Sequence, residues 1–231
     1  MMLIERYKNF RSKYVVQKRR PQEYFFNRYY AHLIDPFFTK IAHDLKMTPN
    51  IVTVFSGLMG IGSGIAIANQ YLILGGILLQ LHHLIDGADG NLARLTDRCT
   101  EFGATLDKYS DQIVRFVLLL GIIIAANAPI YIDILLLLTF ILDLIVIHKF
   151  VLPFAKKNGL IRAKWKNWFL QHGIIPAFDI FTIFFTSSIF CFIGRVDILI
   201  YVILIMKTID WLYRVWECIK TSWILKKKVA Q

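Results

Sequence analysis

Six apolar runs, at residues 51–68, 71–85, 116–126, 130–147, 174–193 and 196–206, constrain this chain more than any other feature. About 20 such residues in a helix cross the hydrocarbon core of a bilayer. A helix also satisfies its own backbone polar groups there, where no water can. The chain therefore reads as an all-α integral membrane protein of six transmembrane helices. Several runs are short alone, so their polar flanks must enter the bundle. Hydrophobic residues make up 56% of the 231, above the share usual in soluble domains.

The formal charge of +11 raises the possibility of nucleic acid, but the basic residues gather in alternate segments between the apolar runs. Residues 1–46, 94–108, 149–166 and 220–228 are basic, whereas the turns at 69–70, 126–129 and 194–195 hold a single Arg. Both termini and the loops beside them then lie in the cytoplasm, by the positive-inside rule. Membrane lipid is the expected surroundings, and nucleic acid is not an expected partner. Cys99, Cys191 and Cys218 are dispersed, odd in number and without metal-ligand spacing. The polar N-terminus argues against a cleavable signal peptide.

Four segments follow. Residues 1–20 are basic, show no helical apolar face, and read as a mobile cytoplasmic arm. Residues 21–47 mix aromatic residues with Arg28, His32, Asp35 and Lys40, which suits an amphipathic helix in the membrane interface, bent at Pro36. Residues 48–220 form the transmembrane catalytic domain, and 221–231 a basic tail. Thr48-Pro49-Asn50 reads as a helix start with Thr as cap and Pro at the first position. Ser56, Gly60 and Gly64 repeat every four residues and form a small-residue stripe for close helix packing.

The chemistry is concentrated between the second and third runs. Asp86 and Asp89 are three apart, Asp107 and Asp111 four apart, so each pair shares one helix face. A tight connection through Arg98 and Thr100 sets the pairs against each other. Clustered carboxylates near hydrocarbon need a strong compensating charge. Hard oxygen ligands select Mg²⁺ or Mn²⁺ over zinc, and two such ions bridge a diphosphate. Gly90, Ala93 and Gly103 leave space for a nucleotide, and Arg94 reaches phosphate oxygens with its planar fork.

The run Asp86-x-x-Asp89-Gly90-x-x-Ala93-Arg94, then Gly103-x-x-x-Asp107-x-x-x-Asp111, resembles the signature of the CDP-alcohol phosphatidyltransferase family at every defining position. The signature covers 26 residues, and the resemblance extends to the six spans, the N-terminal amphipathic helix and the Thr48-Pro49-Asn50 start. It implies that Asp86, Asp89 and Asp107 hold two metal ions. Asp111 completes the metal site and takes the proton of the acceptor hydroxyl. It implies a CDP site from Asn50, Thr53, Asp86, Gly90, Ala93, Arg94, Gly103 and Asp107, and a homodimer. The reaction implied moves a substituted phosphate from a CDP-linked alcohol to a hydroxyl acceptor, releasing CMP.

The substrates are less constrained. CDP-diacylglycerol with a small polar acceptor is favoured narrowly over transfer of a small CDP-linked head group to a lipid or glycan hydroxyl. Lys207, Asp210, Arg214 and Glu217 follow helical spacing. They read first as an internal salt-bridge ladder, and second as a stripe in which Lys207 and Arg214 meet the acceptor. Lys149 is a weaker acceptor candidate, since a positive-inside loop accounts for it. His82 and His83 are expected to pack rather than ligate. A membrane prenyltransferase lacks the Gly, Ala-Arg, Gly spacing, and a cation transporter would show flux without nucleotide.

Overall fold

A computed structural model of the chain describes residues 2–16 and 20–229. Parts of the N-terminal arm (1 and 17–19) and of the basic tail (230–231) lie outside the described residues. The architecture is helical: α1 (Met2–Tyr14), α2 (His32–Asp44), α3 (Pro49–Ala68), α4 (Leu72–Leu95), α5 (Glu101–Ala126), α6 (Ile130–Val146), α7 (Leu152–Asn158), α8 (Lys164–Gln171), α9 (Ile180–Ile193) and α10 (Val196–Val229). Two-residue strands, β1 (Glu23–Tyr24) and β2 (Ile174–Ile175), pair in parallel, Glu23 against Ile174.

By length and composition, three helical stretches are apolar enough to cross a membrane: Pro49–Ala68, Glu101–Ala126 and Ile130–Asn158. The last joins α6 to α7 through a π-helical turn at Ile147–Val151. The apolar run at 174–193 is not one helix. Pro176 withholds a backbone N–H, Ile174 and Ile175 pair with the N-terminal segment, and Asp179 caps a helix of 14 residues by accepting from Phe181 N at 3.1 Å. The basic tail is likewise no separate piece. α10 runs unbroken for 34 residues, about 50 Å at 1.5 Å per residue, well beyond one hydrocarbon thickness.

The small-residue stripe performs as its spacing predicts. A Cβ on Gly60 would fall 2.5 Å from Val114, and one on Gly64 2.7 Å from the Val117 carbonyl. Gly121 returns the approach, with Gly64 O 2.3 Å from the place of its missing Cβ. Thus α3 and α5 touch backbone to backbone, and α4 closes the trio. Thr48 caps α3 with Pro49 behind it, accepting from Ile51 N at 3.3 Å, and Thr100 caps α5, accepting from Gly103 N at 3.0 Å. Between α4 and α5 lie only residues 96–100, with Asp97 in the left-handed region. A dry core of Leu79, Leu118, Leu136, Phe184, Leu199 and Ile203 ties this trio to α6, α9 and α10.

The N-terminal arm differs from its sequence reading. Residues Met2–Tyr14 are helical, and Phe10 lies 4.7 Å from Phe37 of α2, ring to ring. Tyr7, Phe10 and Tyr14, spaced by three and four, make the apolar face that the density of charge concealed. The chain then reaches α2 through a π-helical turn, Asn27–Ala31, with Pro36 one turn further on. α2 buries Asp35, Pro36, Thr39 and Ala42 and exposes Leu33, Phe37 and Ile41.

Candidate active site

Asp86 and Asp89 stand on the last turns of α4, and Asp107 and Asp111 on the second and third turns of α5. The five-residue connection folds the two helices into a hairpin that brings the pairs face to face. Their charges act on one another across the gap. Asp86, Asp111 and a ring nitrogen of His82 offer ligand atoms within 4.8 Å of one another.

Each carboxylate has a distinct environment. Asp89 is buried, and accepts from the Thr53 hydroxyl and from the Gly90 amide at 2.5 Å. Asp111 accepts from Arg115 at 2.9 Å, one turn further along α5. Arg115 is the only cation in an ion pair with any of the four among the described residues. Four acidic groups against one guanidinium leave a local excess of negative charge, and all their donor atoms are hard oxygens. That set fits divalent Mg²⁺ or Mn²⁺. His82 is held at its other end by Ser56 of α3, with Nδ1 2.9 Å from the hydroxyl, while its buried Nε2 has no hydrogen-bond partner among the described residues.

Beside the carboxylates, a cavity of about 210 Å³ opens between α3, α4 and α5. Its walls include Asn50, Thr53, Gly90, Ala93, Arg94, Gly103 and Asp107, all of them anticipated nucleotide contacts; Asp86 stands outside it. The small residues have a geometric reason. A Cβ at Gly90 would press on the Arg94 guanidinium at 3.2 Å, and one at Gly103 would meet Asn50 Oδ1 at 3.0 Å. Pro49, Asp89, Arg98, Cys99, Thr100 and Ala104 complete the wall.

The candidate acceptor cations lie elsewhere. Lys207 Nζ is 2.7 Å from Asp143 of α6, Arg214 is 2.7 Å from Asp210, and Lys149 is exposed on the π-helical turn. Among the described residues the ladder expected along α10 is therefore present only at Asp210–Arg214, since Glu217 pairs with Lys166 of α8 at 2.5 Å. His83 packs as expected, stacked on Phe181 with ring centroids 5.1 Å apart.

A family model for CDP-alcohol phosphatidyltransferase matches residues 46–219, three quarters of the chain and all of the hairpin just described. The chain belongs to the CDP-alcohol phosphatidyltransferase family. It is 26% identical over 185 residues to the archaetidylinositol phosphate synthase of Pyrococcus horikoshii, covering 78% of this chain and 88% of that one. A bifunctional IPC transferase and DIPP synthase of Aquifex aeolicus is 46% identical over 74 residues, covering 32% of this chain and only 17% of the relative. The phosphatidylinositol phosphate synthase of Corynebacterium glutamicum is 35% identical over 82 residues, 35% of this chain and 37% of that protein. With this membership and its apolar helices, the chain is an integral membrane protein.

Sequence reasoning missed two features of the candidate site. Arg115 is the one charged residue in the stretch 112–126, four residues after Asp111, and that spacing was the available signal. The Ser56–His82 bond had no signal, because it joins two helices that only the packing brings together.

Proposed function

We propose that this protein transfers a substituted phosphate from a CDP-linked lipid, CDP-diacylglycerol being the favoured donor, to a hydroxyl of a small polar acceptor, releasing CMP. The observation that carries this reading is the cavity between α3, α4 and α5, whose wall holds the signature residues Gly90, Ala93, Arg94 and Gly103 together with two of the four carboxylates, Asp89 and Asp107. The names of the relatives favour an inositol phosphate as acceptor.

In the proposed reaction Gly90, Ala93 and Gly103 admit the nucleotide, with Asn50 and Thr53 beside it. Arg94 holds a phosphate oxygen through its planar fork. Asp111 accepts the acceptor's hydroxyl proton; the freed oxygen bonds to the phosphorus that carries the donor alcohol, and the bond from that phosphorus to CMP breaks. Asp86, Asp89, Asp107 and Asp111 would hold two divalent ions. When bound, these supply the positive charge that the departing phosphate of CMP requires. Arg115 keeps Asp111 oriented, and its hydrogen bond at 2.9 Å supports that role.

The proposed setting is a bundle of six crossings, α3, α4, α5, α6–α7, α9 and α10, with both termini and the carboxylates on the cytoplasmic side. The segment 48–220 would be the catalytic unit. The exposed line of Phe25, Tyr29, Leu33, Phe37, Ile41 and Leu45, one residue every four, supports contact of the segment 21–47 with lipid. A homodimer is proposed from the family resemblance.

The decisive measurement is CMP release by the purified protein in mixed micelles with Mg²⁺ or Mn²⁺. CDP-diacylglycerol and small CDP-alcohols are each supplied against glycerol phosphate, serine and inositol phosphate. Release with CDP-diacylglycerol and one acceptor, abolished by EDTA and reduced at least ~100-fold by Asp111→Asn, is the expected result. Release confined to small CDP-alcohols would move the assignment to head-group transfer, and no release from any pair with folded, metal-loaded protein would refute it.

A further inference from the structure

A second chamber, of about 360 Å³, lies on the other side of Arg94 from the nucleotide cavity. Arg94 lines both. Apart from Asn91 beside it, the remaining walls come from parts of the chain outside the signature, among them Arg11 of α1, Arg20, Glu23 and Asn27 of the segment before α2, and Phe181 of α9. The β1–β2 pair holds this segment down. Arg28 adds a bond to Gly173 O at 2.9 Å, where Gly173 has φ +78° and a Cβ would strike the guanidinium.

The charge in this chamber is out of balance. Arg11, Arg20 and Arg94 have no carboxylate within ion-pair distance among the described residues. Each acid nearby has one carboxylate oxygen engaged. His32 stands 3.5 Å from Glu23 and 3.0 Å from Asp35, and Asn91 passes the chain on, donating to Asp35 at 3.3 Å and accepting from Arg94 at 3.0 Å. Arg94 is thus fixed by its neutral neighbour and keeps its charge free. Glu23 is 7% exposed, yet its Oε2 has no hydrogen-bond partner among the described residues, and neither does the buried Nε of Arg11 or of Arg94. Three guanidiniums gathered about one cavity repel one another, and buried unpaired polar atoms cost free energy, unless a ligand answers both.

We propose that this chamber binds a phosphate group carried on a hydroxyl-bearing moiety. Arg11, Arg20 and Arg94 hold the phosphate oxygens, and Glu23 Oε2 accepts a hydroxyl hydrogen of the moiety. Planar guanidiniums match phosphate oxygens in pairs, and a carboxylate among them suits a polyol rather than a bare anion. The same chemistry occurs in a soluble polyol phosphate and in an anionic lipid headgroup. Neither source requires turnover, so the site stands or falls separately from the transferase reading.

The test is binding to the full-length protein in nanodiscs, read by calorimetry and by thermal shift, without CDP-alcohol. One arm uses zwitterionic lipid and adds inositol phosphate, glycerol phosphate or inorganic phosphate; the other incorporates phosphatidylinositol or phosphatidylglycerol. The paired variant Arg11→Gln/Arg20→Gln should weaken binding at least tenfold in the responding arm, and Arg11→Lys/Arg20→Lys should recover part of it. Glu23→Gln should reduce the preference for inositol phosphate over inorganic phosphate. A response to the soluble compounds assigns the chamber to a polyol phosphate, and one confined to anionic discs assigns it to a headgroup. Equal responses of wild type and the Gln pair in both arms, or no response in either, would overturn the proposal.

Discussion

Asp89 and Asp111 carry the same functional group and face the same gap, yet the residues beside them give them different capacities. Asp89 is buried and already occupied by the Thr53 hydroxyl and the Gly90 amide, so its position is fixed and its spare lone pairs point one way. Asp111 is less enclosed and has Arg115 as its one cationic partner among the described residues. Removing the hydroxyl in Thr53→Val keeps the volume of the side chain and frees Asp89 to turn. The expected result is a KM for the CDP donor raised about 10-fold or more, equivalent to the ~1.5 kcal/mol at the lower end for a charged hydrogen bond, with a smaller change in kcat. Steady-state CMP release at varied donor concentration measures it. An unchanged KM would mean that Thr53 merely fills space.

Among the elements, the α3–α5 contact and the α8–α10 contact hold the bundle by opposite means. The first is backbone against backbone and has no room for a methyl group at Gly121. Gly121→Leu should lower the unfolding midpoint in detergent, through overpacking of about 1–3 kcal/mol, and should disturb the nucleotide cavity that α3 and α5 both wall. The second is ionic: Glu217 is 1% exposed, with Lys166 as its counter-charge. Lys166→Ala strands a buried charge and should destabilise by about 3–5 kcal/mol, whereas Lys166→Met with Glu217→Leu should restore most of the loss. Thermal unfolding of the three variants separates these outcomes. α2 shows why element-scale reading from sequence is incomplete. Its mixed composition announces an amphipathic helix, but Asp35 and Thr39 face inward and Phe37 and Ile41 outward. The polar face has partners inside the protein, His32 and Asn91, that no periodicity reveals.

For the whole molecule, the proposed six crossings put the α4–α5 connection and the α5–α6 turn on opposite sides of the membrane. Cys99 is exposed in the first, and Asn127 ends α5 in the second. With Cys218 replaced by Ser, a membrane-impermeant thiol reagent should label Cys99 only from the cytoplasmic face of sealed vesicles, and Asn127→Cys only from the other. Labelling of both from one face would refute the crossing of α5.

The sequence by itself determined the helical membrane character, the two aspartate pairs and the small residues around them. Each depends on composition or on spacing along one helix, and helical geometry turns spacing directly into a shared face. The caps at Thr48 and Thr100 were legible for the same local reason. Only the tertiary structure decided that Arg115 attends Asp111, that Ser56 holds His82, that Lys207 and Arg214 are already paired, and that the arm is a helix packed on α2. It also decided that 174–179 stays outside the helix, with Ile174 and Ile175 paired to β1, and that Arg94 lines two chambers. Arg115 and Arg214 meet their acids one helical turn away, where spacing allowed the pair and packing selected it; the other contacts join residues from 26 to about 150 positions apart and follow from how helices dock, which periodicity within any one of them does not specify.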